Sequence, residues 1–197
     1  MKGLEKFQPD TFYHLVNHAV GDENLFRTDE NYHYFLSKYA YYITSVCDTV
    51  CYCLMPNHIH ILIRTHSEEL LQKHQKFKGD FHKLIMQQIS NLLNAYTKAY
   101  NKKYDRKGAL WIDYTKRFKI ETDQHLTIVI NYIHQNLIKH GFTQNLNDWP
   151  HSSYHSLLSN KPTLLTRTEV LEWFGGINEY VKFHVENTAE LLDHWET

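Results

Sequence analysis

Two stretches of this chain carry residue types that could act together on a reacting group. The first is Met55-Pro-Asn-His-Ile-His-Ile-Leu-Ile63. Residues two apart on a strand point to one face, so His58 and His60 project together while Ile59, Ile61 and Ile63 turn to the other. Their Cα atoms then lie about 7 Å apart, at a rise of roughly 3.3 Å per residue. Two neutral imidazoles so placed can converge on one cation, a transition metal or, beside oxygen donors, Mg2+ or Mn2+. The chain has 15 histidines, so two solvent-facing side chains on a half-exposed strand would give the same pattern.

The second stretch is Ile130-Asn-Tyr-Ile-His-Gln-Asn-Leu-Ile-Lys-His-Gly141. On a helix, Tyr132 and Asn136 are one turn apart and neighbours. At about 100° per residue both fall on one flank of the stripe Leu126, Ile130, Ile133, Leu137. A phenol on that margin can enter a cleft beside a sheet; it can equally be one of 14 tyrosines at a core edge. Gln135 points roughly opposite and is a weaker ligand candidate, and His134 points off the Tyr132 face.

The elements that must position these residues follow from periodicity and turn signals. Phe12 to Asn17 reads as a short strand. Asp29 can cap a helix whose apolar positions are Tyr32, Phe35, Leu36, Tyr39 and Ile43. Val46 to Met55 and His58 to Arg64 read as a hairpin around Pro56-Asn57. The polar segment 67–80 is a loop or partial helix. Phe81 to about Tyr100 is a long amphipathic helix. Tyr114 to Ile120 is an edge strand, and Thr122 caps a helix that ends near Gly141. Two further helical pieces span about Thr168–Phe174 and Asn178–Leu192. The order β-α-β-β-α-β-α predicts an α+β fold: a ferredoxin-like antiparallel sheet with packed helices and a helical C-terminal extension. No repeat or linker divides the 197 residues, so the expected organisation is one unit with a core of about 11–158 and an extension of about 159–197.

Composition narrows the function classes. An apolar fraction of 42% is that of an ordinary globular protein. No apolar run approaches a membrane span, and the first ten residues have no signal-peptide core, so the expected location is the cytoplasm with no membrane partner. Cys47, Cys51 and Cys53 sit in one strand and read as small buried hydrophobes in a reducing compartment. The net charge of −1 is low for a nucleic-acid binder. Between Lys98 and Lys119, however, eight Lys or Arg stand against two Asp, a local zone able to meet phosphates. Within it Arg106, Lys107, Lys116 and Arg117 are candidate phosphate contacts, and Trp111 or Tyr114 could stack on an unpaired base.

Four blocks in this order, MPNHIHIL, LWIDYTKRFKI, YIHQNLIKHG and DWPHSSY, resemble the single-tyrosine His-hydrophobe-His transposases, most closely the REP-associated tyrosine transposases. The likeness runs from about Phe12 to Leu158. It implies that His58 and His60 hold a divalent metal, Mg2+ or Mn2+, with Asn136 as third ligand. It implies that Tyr132 is the nucleophile, giving a covalent 5′-phosphotyrosine. It also implies single-stranded or hairpin DNA as partner, no nucleotide cofactor, and action as a monomer or homodimer. The chain departs from the family after the tyrosine, where Asn136-Leu137-Ile138-Lys139-His140-Gly141 replaces Asn-Pro-Val/Ile-Arg-Ala-Gly; Asn136 and Gly141 are kept, and the missing proline leaves the helix end open. The alternatives are a catalytically inactive hairpin-binding protein of the same fold, a nickase or relaxase-like enzyme with the same histidine motif, and a metal-dependent hydrolase in which Tyr132 is structural.

Overall fold

The β-branched and aromatic runs pair into one four-stranded antiparallel sheet of β1 (Phe12–His18), β2 (Cys47–Leu54), β3 (His58–Thr65) and β4 (Lys116–Ile120), in the order β2-β3-β1-β4. The computed structural model describes residues 4–112 and 114–187. Between the strands run α1 (Asp29–Ile43), the short α2 (Glu68–Gln72) and α3 (Phe81–Lys103), followed by α4 (Asp123–Lys139), α5 (Tyr154–Leu158), α6 (Arg167–Phe174) and α7 (Ile177–Glu186). This is the ferredoxin-like order read from the sequence, with a helical C-terminal part. The expected helix continuation over residues 188–192 lies outside the described residues. No helix among the described residues is long and apolar enough to cross a membrane.

Strand alternation divides the apolar residues between two cores. Ile59, Ile61 and Ile63 join Tyr13 and Leu15 beneath α1 and α3. Cys51, Cys53 and Leu62 face the other way, under the α4 stripe of Leu126, Val129, Ile130, Ile133 and Leu137. All three cysteines are free and buried, and burial pushes each thiol above its usual range. α3 continues to Lys103, past the expected end at Tyr100. Lys102 and Lys103 in its last turn suit the negative end of the helix dipole.

The end of α4, left open by the missing proline, is closed by a glycine motif. The N–H of Phe142 donates to the Leu137 carbonyl and that of Gly141 to the Ile138 carbonyl. Gly141 has φ of +71° and nothing within 4 Å of where a Cβ would stand, so an added methyl meets backbone strain alone. Gly141→Ala is expected to lower stability by about 1 kcal/mol in urea unfolding, with the dependence on denaturant unchanged.

The DWPHSSY block extends the free edge of β2. The indole N–H of Trp149 donates to the Leu54 carbonyl at 3.0 Å and the Leu54 N–H to the His151 carbonyl at 3.0 Å. The Ser153 N–H donates to the Tyr52 carbonyl, and the Tyr52 N–H to Ser153 Oγ, each at 2.9 Å. Ser153 Oγ also meets His134 Nε2 at 2.8 Å, His134 Nδ1 meets His184 Nε2 at 3.0 Å, and His184 Nδ1 donates to the Tyr180 carbonyl at 2.8 Å. His134 is thus a buried strut that ties α7 and the sheet edge to α4, which accounts for its pointing away from Tyr132.

Both histidine rings of that strut are held neutral. Burial, and then the charge of His184, holds His134 well below the usual histidine value, and burial lowers His184 to about 4. A depressed folded-state pKa means that the protonated ring is penalised in the folded state alone. Stability is therefore full above about pH 6.5 and is lost as pH falls towards 4, with roughly 3 kcal/mol at stake from His184. Urea titrations across that window should show the fall, and His184→Gln should remove this share of it; an equal fall in the variant would refute the assignment.

Candidate active site

The histidine motif opens β3 immediately after the Pro56-Asn57 turn. Antiparallel register sets His18 opposite His58, Val16 opposite His60 and His14 opposite Leu62. Directly opposed residues share a face. His14, His18, His58 and His60 therefore all project towards α4. His14 and His60 are fully buried, and His58 is 3% exposed.

Hydrogen bonds orient the two motif rings. His58 Nδ1 donates to Asn57 Oδ1 at 2.8 Å, which leaves Nε2 as the ring's lone-pair nitrogen. His60 Nδ1 and His14 Nε2 are 2.8 Å apart. His60 Nε2, although buried, has no hydrogen-bond partner among the described residues. Burial, and then the charges of His14, His58, His18 and His140, hold His60 well below the usual histidine value, so at neutral pH it is in the form that binds cations.

α4 brings the helical pair to the same place. The Tyr132 ring stands edge-on to His60 and to His14, with ring centres 5.9 Å away in each case. His140, two turns further along the same helix face, stands 4.8 Å from the His58 ring. Asn136 lies one helical turn after Tyr132 on α4. Asn136 Nδ2 donates to the Tyr132 carbonyl at 2.8 Å, and Asn136 Oδ1 is a second buried acceptor without a hydrogen-bond partner among the described residues. A buried polar atom left unpaired costs about 1–3 kcal/mol, so each of the two calls for a partner.

The residues fit a divalent cation by donor chemistry. Among the described residues no three His, Cys, Asp or Glu side chains converge as a metal site. Two imidazole nitrogens with one amide oxygen make a set of a different composition, suited to Mn2+ or Mg2+ completed by substrate and water oxygens.

Tyr132 lies deeper than the margin position its spacing suggests. It is 1% exposed, because α4 is held between the sheet and α7. The Lys139 ammonium is 5.7 Å from the centre of its ring. His14, His18 and His140 were not singled out by the sequence. The signal for the first two was their alternation in FYHLVNH, which becomes informative only once β1 is registered against β3.

The candidate DNA contacts separate into two groups. Lys107 is exposed and Lys116 half-buried on the α4 face of the sheet, opposite Val16. Arg106 is partly committed: it pairs with Glu23 at 2.8 Å and donates to the Ala109 carbonyl at 2.7 Å, bracing its own loop. Two assignments are corrected. Arg117 is 6% exposed, and its guanidinium donates to the carbonyls of Leu4, Glu5 and Thr115, because strand alternation turns it away from Lys116 and inward. Trp111 is 6% exposed and packs against Phe35 and Tyr96 in the first core. Tyr114, 47% exposed, is the aromatic side chain of this segment open to a base.

No family model matches the chain. A Haemophilus influenzae protein described as a "putative REP-associated tyrosine transposase" is 29% identical over 111 residues, an alignment covering 55% of this chain and 59% of that relative. The chain therefore matches about three fifths of that relative's length. Among solved structures, one of a REP-associated tyrosine transposase bound to a REP hairpin superposes with a TM-score of 0.60 at 15% identity, covering 82% of this chain and 89% of the other. At that identity the superposition speaks for the fold. The sequence relative and the shared fold bear out the resemblance to the REP-associated tyrosine transposases carried by the four sequence blocks.

Proposed function

We propose that this chain is a metal-dependent strand transferase acting on single-stranded or hairpin DNA, of the REP-associated tyrosine transposase kind, with Tyr132 as its nucleophile. The observation that carries this reading is the seating of the Tyr132 ring against His60, whose Nε2 is buried with no hydrogen-bond partner among the described residues. The solved relative of the same fold holds hairpin DNA. A divalent cation held by His58, His60 and Asn136 supplies Lewis-acid neutralisation of phosphate charge.

The protein's own residues do the rest. Tyr132 Oη attacks the phosphorus, the bond to the 3′ oxygen breaks, and the phosphoryl group stays on the 5′ side as a phosphotyrosine. The phenol loses its proton and the departing 3′ oxygen gains one. The reverse attack by a 3′-hydroxyl re-forms the phosphodiester and frees Tyr132, so no nucleotide cofactor is consumed. Lys139, beside the ring, adds positive charge where the phosphate must sit. Tyr132 lies against histidines of its own chain, so one chain contains the whole set, and the reading places it in the cytoplasm with its DNA. Because Tyr132 is 1% exposed, a phosphate reaches it only when the contact between α4 and the sheet loosens.

That burial favours one second reading, a hairpin-binding protein that has kept the fold without cutting. Incubation with hairpin oligonucleotides and Mn2+, followed by a denaturing gel, separates the two. A covalent protein–DNA band supports the transferase; hairpin binding with no band in any divalent metal establishes the binder.

A further inference from the structure

Ile112 and Tyr114 are 45% and 47% exposed, and neither the two cores nor the mechanism above accounts for them. Both line a groove of about 300 Å3 between α3 and residues 109–115. Its other wall carries Ser90, Asn94 and Thr97, short polar side chains on successive turns of one face of α3. Asn94 Nδ2 donates to Ser90 Oγ at 3.2 Å, which leaves its second amide hydrogen and its oxygen for a ligand. Lys98, exposed one turn after Asn94 on the same face, and the exposed Lys107, two residues before Ala109 of the groove wall, add positive charge.

The groove adjoins the candidate active site. The Val20 N–H donates to the Leu110 carbonyl at 3.1 Å and the Ile112 N–H to the His18 carbonyl at 2.9 Å, so residues 110–112 prolong the sheet where β1 ends. The ring of that same His18 stacks on His58, with centres 4.7 Å apart. DNA held at the motif histidines has this groove within a few nucleotides' reach. An exposed phenol ring beside amide and hydroxyl groups, with lysines around it, has the chemistry to hold an unpaired base. The ring stacks on the base's face, the polar groups meet its edge, and the cations meet its phosphates. A groove at the small end of ligand clefts admits one base and excludes a duplex.

We propose that this groove seats one unpaired nucleobase of the bound DNA, with Tyr114 on its face and Asn94 on its edge. This rests on the action on DNA proposed above and adds where an unpaired base beside the hairpin is held. Fluorescence anisotropy without metal, so that nothing is cut, tests it with three labelled probes: a blunt hairpin, the same hairpin with an unpaired tail on either end in turn, and an unpaired oligonucleotide. A tailed hairpin should bind more tightly than the blunt one. Tyr114→Ala should weaken binding of the tailed hairpin and the unpaired oligonucleotide roughly 5–150-fold, the share of one stacked base, and leave the blunt hairpin unchanged. Tyr114→Phe, which keeps the ring, should restore both. Asn94→Ala should narrow the preference among bases placed in the tail, and an unchanged preference overturns its share. Equal affinity of the unaltered protein for tailed and blunt hairpins overturns the proposal. So does a Tyr114→Ala protein that binds every probe as before or weakens all of them alike. Altered sedimentation of Tyr114→Ala with binding intact assigns the face to a second copy and also overturns it. If no hairpin is bound at all, the hairpin reading falls, and the unpaired oligonucleotide still decides the groove.

Discussion

Tyr132→Phe is expected to abolish the covalent protein–DNA adduct while leaving Mn2+ and hairpin binding in place. The substitution removes one oxygen and keeps a ring of nearly the same volume, so its packing against His14 and His60 is retained. Losing a buried hydroxyl costs about 1 kcal/mol, too little to unfold an ordinary domain. The chemical effect is far larger, because no atom remains to form the phosphotyrosine. Removal of the nucleophile from a serine protease lowers turnover by roughly 10⁶, so adduct should be undetectable on a gel that shows it readily for the unaltered protein. An adduct persisting in Tyr132→Phe would move the nucleophile elsewhere, the exposed Tyr114 being the first residue to examine.

Much of this site was legible because each half of it is written in a local period. His58 and His60 share a face by strand alternation, and Tyr132 and Asn136 by the helical turn. The order of elements was enough to expect the four-stranded sheet. What was hidden depends on relations between distant segments. His14 and His18 belong to the site only through the register of β1 on β3, and no spacing within FYHLVNH reveals which strand it will face. Arg117 and Trp111 were misread because a basic, aromatic segment gives composition without direction. Adjacent residues of β4 point to opposite faces, so Lys116 stays by the site while Arg117 is spent on backbone carbonyls. The depth of Tyr132 was hidden too, since it follows from α7 closing over the back of α4. His134 showed the same limit, as its partners Ser153 and His184 lie 19 and 50 residues away.

The second large effect concerns the cation. His60→Ala is expected to abolish stabilisation by metal, and the control must separate this from simple loss of fold. His60 is fully buried, so its removal leaves a cavity and strips His14 of its hydrogen-bond partner, together worth about 2–4 kcal/mol of metal-free stability. A lower midpoint by itself therefore says nothing about metal. The decisive quantity is the difference with and without Mn2+ for each protein. A ligand that binds only the folded state adds about 2.7 kcal/mol at a concentration 100 times its dissociation constant, and the unaltered protein should show a gain of that order. His60→Ala should show none at the same concentration, whatever its starting stability. Asn136→Ala removes one donor from a neighbouring element while both rings stay in place, so it should keep part of the gain. If His60→Ala gains as much from Mn2+ as the unaltered protein does, the histidine pair is not the cation site, and the neutral, buried state of His60 is a feature of packing alone.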